Sequence, residues 1–307
     1  MEARSRINQS ISILDSLQKS NPDIFWDMAF SFYLQGQMNS DLNQKIRFHE
    51  QSLKIFSRIP DAYRQATELA ILGRAMHNNG QYSLAEEYVK DSLEIFNSLS
   101  NPYPLARTMG ILGYQMFLQG KLSLAEENLS KSLDIAKDIE ANDLVVIHIN
   151  WLSQVLLLQG KTEKARELIM ESLVEAQRSG FIHFVIHSTN ISGLIDLVSG
   201  DYTEARSQHT IALSLALKSG RRDFEGLSKM LLAAAVIARE DNSYALSLID
   251  DSVEILRQIN RPDSLAEALV FSAIIYTHCG KIDLVCSMLR EAWEILIDLH
   301  QYHILLP

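Results

Sequence analysis

Apolar residues recur along this chain at three- and four-residue spacing: Leu69, Leu72 and Met76 form one stripe, and Leu105, Met109, Leu112 and Met116 form another. That is the period of a helix with one face turned to a core, and no segment sustains the alternation of a strand. The stripes themselves recur. GQYSLAEEYVKDSLEIF, from Gly80, returns forty residues later as GKLSLAEENLSKSLDIA, from Gly120. A fixed period of this size marks a stacked repeat.

Aligned on that period, the chain resolves into columns. One reads Gly80, Gly120, Gly160, Gly200, Glu240 and Gly280; another reads Ala85, Ala125, Ala165, Ala205, Ala245 and Val285. A third holds Ser52, Ser92, Ser132, Ser172, Ala212, Ser252 and Ala292, each followed by an apolar residue. Ahead of the glycines runs a small-residue column of Gly73, Gly113, Ser153, Gly193, Ala233 and Ala273. Each unit is therefore two helices joined by a tight turn at the glycine, and the small columns mark where neighbouring helices approach too closely for a large side chain. Pro22, Pro102 and Pro262 share one column between units, with Pro60 and Pro104 in the same junctions, so no proline is expected inside a helix. Gly180 and Gly220 suit a left-handed helix cap. Gly36 falls four residues early for the glycine column, which predicts a longer turn in its unit.

A lone helix pair cannot bury its apolar face, so the units must stack. The pattern predicts an all-α, right-handed α-solenoid of about seven 40-residue helix-turn-helix units: a partial one over 1–20, then 21–60, 61–100, 101–140, 141–180, 181–220, 221–260 and 261–300, forming one repeat domain over 1–307. Leu72-Gly73, Gly80, Tyr82, Ala85 and Ser92 resemble the tetratricopeptide (TPR) motif at its own spacing, and Leu112-Gly113, Gly120, Ala125 and Ser132 match it again. The period is longer than the family's usual thirty-four. Forty-residue arrays of this kind are similar to the sensor regions of STAND-type signal-transduction ATPases and regulators, and to the peptide-receptor domains of quorum-sensing regulators. The resemblance implies recognition of a ligand or partner without catalysis, first as the effector sensor of a STAND-type protein. The alternatives are a quorum-sensing-type peptide receptor and a constitutive assembly scaffold.

Composition narrows the function classes. A net charge of −10 with scattered Lys and Arg argues against nucleic acid as a direct partner. No apolar run is long enough to span a bilayer and the N-terminus lacks a signal-peptide layout, so a cytoplasmic protein without a membrane partner is expected. Cys279 and Cys286 read as free thiols. There is no phosphate-binding loop, no G-x-S-x-G elbow and no H-E-x-x-H, and His183 and His187 lack a carboxylate in their stretch. No enzyme activity, cofactor or metal is expected.

Function is therefore sought on the first helix of each unit, which lines the concave groove in TPR arrays. Its columns give Arg74, His77, Arg107, Tyr114, Phe117, Asn150, Gln154, His187 and Asn190 as candidate contacts for a peptide, protein or small effector. Two arginines at one end suit a carboxylate or phosphate, and the Asn150 and Asn190 amides suit an extended backbone, since each both donates and accepts. Farther on, the same columns turn apolar, through Leu227, Met230 and Val270. Neither terminus carries a polar capping unit, which predicts a piece of a longer protein or self-association through 2–18 or 288–306.

Overall fold

Residues 24–39, 41–237 and 242–298 are described by the computed structural model, and every regular element among them is helical. In chain order these are α1 (Ile24–Met38), α2 (Leu42–Phe56), α3 (Ala62–Asn78), α4 (Tyr82–Ser98), α5 (Pro102–Leu118), α6 (Leu122–Asp138) and α7 (Asn142–Leu158). Then come α8 (Thr162–Ser179), α9 (Ile182–Ser199), α10 (Tyr202–Ser219), α11 (Arg222–Ile237), α12 (Asn242–Gln258), α13 (Pro262–His278) and α14 (Val285–Asp298). None is long and apolar enough to cross a membrane.

The chain divides into two compact units, Met1–Gln115 and Met116–Pro307. In the first, α1 packs on α2, α2 on α3 and α3 on α4. In the second, each helix from α6 to α14 packs on the next, and the alternate helices α7, α9, α11 and α13 also touch in succession. Contact between one helix and the next but one turns a row of hairpins into a helical repeat solenoid.

The columns explain the packing. Ala85, Ala125, Ala165, Ala205 and Ala245 are all buried, as are Ser52, Ser92, Ser132, Ser172 and Ser252. The serines do more than fit. Ser92 donates to the Ala66 carbonyl at 2.7 Å and Ser252 to that of Gly226 at 2.8 Å, fastening each second helix to the first of its pair. A Cβ on Gly73 would stand 2.5 Å from Val89 Cγ2, so the close approach there excludes any side chain. The turn glycines hold positive φ, as at Gly80 (74°) and Gly200 (84°), and Gly180 and Gly220 are left-handed caps. The same conformation is forced on Ser100, Glu140 and Asn260, with φ of 50°, 54° and 54°.

Two expectations are corrected. Gly36 is not a turn residue: it lies inside α1, where a Cβ would meet the His49 ring at 2.5 Å. It takes the role of Gly73, and Ser52 correspondingly bonds to the Ala29 carbonyl. His49 and Val89 are forty apart, but Gly36 and Gly73 only thirty-seven, so α1 is displaced by three residues and its turn is not longer. Pro104 stands third in α5, inside the first helical turn, where a missing N–H breaks no intrahelical bond. The readings of the N-terminal partial unit, Pro22, Glu240 and the C-terminal tail fall on 1–23, 238–241 and 299–307, outside the described residues.

Candidate functional site

Within the first unit a cleft of about 170 Å³ opens on three successive first helices. α1 contributes Tyr33 and Gln37, α3 contributes Tyr63, Thr67, Ala70 and Arg74, and α5 contributes Tyr103, Arg107 and Thr108, with Phe96 of α4 beside them. Arg74 and Arg107 both keep solvent access. Partial desolvation within the cleft lowers the pKa of Arg74, and the charge of Arg107 lowers it further. Lys45 of α2 is lowered in the same way, by burial first and then by Arg74. Among the described residues neither arginine holds a carboxylate. Elsewhere arginines do: Arg221 pairs with Asp223 at 2.8 Å, Arg257 with Glu291 at 2.8 Å, Arg261 with Asp263 at 3.0 Å, and Arg166 with the buried Asp196. At the α1 side, Arg64 lies over the rings of Trp26, Phe30 and Tyr33 at 5.7, 5.0 and 5.8 Å.

The remaining candidates divide by column. Tyr114, Phe117, Gln154 and His187 are half-buried, whereas His77, Asn150 and Asn190 are buried. His77 packs edge-on against Tyr82 at 5.0 Å, and desolvation lowers its pKa. Asn150 Oδ1 accepts from Ser172 of α8 at 2.9 Å and from Ser188 of α9 at 3.0 Å. Asn190 donates to Ser228 of α11 at 2.9 Å, while its Oδ1 lies 3.2 Å from His209 Nδ1 of α10. The expectation that these two amides face a ligand is therefore corrected: each joins three helices of the scaffold. Helical rotation is the reason. Positions seven apart, such as 67 and 74, differ by only about 20° around the axis, but positions three apart differ by about 60°. Asn150 and Asn190 are thereby turned toward the joint, whereas Ala70, at the same position of its own unit, still lines the first-unit cleft.

Sequence reasoning missed the buried polar column on the same helices: Glu68, Thr108, His148, Ser188 and Ser228. Glu68 Oε2 meets His49 Nδ1 at 2.7 Å, and Ser132 Oγ lies 2.9 Å from His148 Nδ1. Its signal was present as polar residues on a stripe otherwise apolar. Desolvation holds His148, His187 and His209 at a pKa of about 4. No group of three or more His, Cys, Asp and Glu suited to a metal exists among the described residues, and Cys279 and Cys286 are free.

No protein-family model matches this chain, and no curated protein does. Solved structures match it in fold. The apo form of RapI gives a TM-score of 0.73 at 15% identity, covering 89% of this chain and 98% of its own. The Rap conjugation gene regulator of plasmid pLS20, solved in complex with a Phr peptide, gives 0.71 at 14%, covering 92% and 77%. A signal transduction ATPase with numerous domains (STAND) and a tetratricopeptide repeat sensor, from Pyrococcus horikoshii, gives 0.55 at 16%, covering 97% of this chain and 49% of its own. The fold is that of the tetratricopeptide helix-pair repeat.

Proposed function

We propose that this chain is a non-catalytic recognition module, its helix pairs acting as one repeat array in the cytoplasm, and that its first-helix face receives an extended peptide. One observation carries the reading: α1, α3 and α5 open onto a single cleft lined by two arginines that hold no carboxylate among the described residues. Among the described residues no carboxylate pairs with those arginines, so a role in binding is sought for them. The cleft is smaller than the roughly 300–1,000 Å³ that houses a whole small molecule. That favours one end or side chain of a longer ligand over a compact effector of the STAND-sensor kind. A neighbour of the same fold solved with a peptide supports the same choice.

Panning a random peptide display library against the immobilised chain tests the reading. Selected peptides are expected to bind saturably, to compete with one another, and to lose binding when the cleft is filled by Thr67→Arg and Ala70→Arg. Glu127→Arg, on an exposed helix face, should leave binding unchanged. Peptides that bind the filled variant as well as the wild type, or a library that yields no saturable binder, would overturn it.

A further inference from the structure

In a chain of net charge −10, the cleft of the first unit is a local concentration of cations. Arg74 and Arg107 both open onto it, and Lys45 lies close enough to feel Arg74. Among the described residues no carboxylate pairs with the two arginines, and like charges held together repel one another and oppose folding. An anion supplied from outside would balance them.

Charge and donor count decide which anion. Each guanidinium presents five donors in a rigid fork, and one carboxylate, with a single charge, balances one such cation and leaves the second uncompensated. A phosphate monoester carries about −1.5 to −2 charge and three strong acceptor oxygens, which matches two forks. The walls specify what the phosphate is attached to. Tyr33, Tyr63, Tyr103 and Phe96 line the same cleft as the arginines, which favours a flat ring packed beside the anion. We propose that this cleft is a subsite for a phosphate monoester borne on an aromatic group. The proposal rests on the binding-face reading above and names the chemistry of the ligand's end.

Calorimetry of the 307-residue chain with phenyl phosphate, inorganic phosphate and benzoate tests it. Phenyl phosphate is expected to bind saturably with one-to-one stoichiometry, more tightly than inorganic phosphate, and at least tenfold more tightly than benzoate. Added salt should weaken it. The double variant Arg74→Gln, Arg107→Gln should lose at least tenfold in affinity, with a melting temperature equal to or above that of the wild type because a repulsion has been relieved. Arg206→Gln, on an exposed face of α10 in the second unit, should bind as the wild type does. Benzoate binding as tightly as phenyl phosphate would overturn the phosphate assignment. Undiminished affinity in the double variant, or no saturable binding of phenyl phosphate, would overturn the subsite. If library-selected peptides still bind and are still blocked by Thr67→Arg, the subsite alone fails and the recognition reading stands.

Discussion

At the scale of single residues, the molecule separates side chains that hold the scaffold from side chains left over. Asn150 is of the first kind, since Ser172 and Ser188 both donate to it in a buried site. Asn150→Ala should therefore destabilise the fold by about 1–3 kcal/mol, the cost of stranding buried donors. Urea unfolding reads this directly, and an unchanged midpoint would return Asn150 to the list of ligand contacts. Three desolvated histidines make stability depend on pH. His148, His187 and His209 titrate at about 4 in the fold, against an ordinary value of 6.5. As pH falls below 6.5 the unfolded chain takes up these protons first. Their contribution is thus complete above 6.5 and lost progressively toward 4, on the order of 3 kcal/mol for each. Glu267 acts in the opposite sense: burial pushes its carboxyl up to about 7, so its contribution grows as pH falls from 7 toward 4.5. The urea midpoint should drop between pH 7 and pH 5, and more steeply in Glu267→Gln; a flat profile in both proteins would contradict the assignment.

At the scale of elements, the junctions between helix pairs are where sequence and geometry disagree. Glu140 closes α6 with φ of 54°, the conformation that glycine takes at Gly180 and Gly220. An L-residue there costs about 1–2 kcal/mol, offset in part by the entropy glycine loses on folding. Glu140→Gly should raise stability by about 0.5–1 kcal/mol in thermal or urea unfolding, whereas Glu127→Gly, in mid-helix, should lower it. The helices themselves were legible because the same packing problem is solved repeatedly: Ala125 and Ser132 mean the same thing forty residues apart. The displaced α1 was not legible, because alignment on a forty-residue period forces Gly36 toward the turn column, and only its contact with His49 reveals the missing three residues. Arg74 and Arg107 were found because they lie on the open columns. Tyr63 and Tyr103 were missed because they stand in the first turns, ahead of the stretch on which those columns were counted.

At the scale of the whole molecule, the buried polar groups differ from layer to layer. His49 meets Glu68, Ser132 meets His148, Asn150 meets Ser172 and Ser188, Asn190 meets His209 and Ser228, and Ser252 reaches only the backbone of Gly226. An array built from one consensus unit can be lengthened by copying, because every neighbour is equivalent. Here a second copy of 141–180 inserted after residue 180 would set a His148 imidazole where Asn150 expects the hydroxyl of Ser188. The enlarged chain should unfold at lower urea than its parent, and His148→Ser within the copy should recover part of the loss. Equal stability of the two enlarged chains would show that the layers are interchangeable after all. If they are not, the order of the units is itself inherited information. Such a protein could gain or lose a segment in evolution only by rewriting the joints on both sides of the cut.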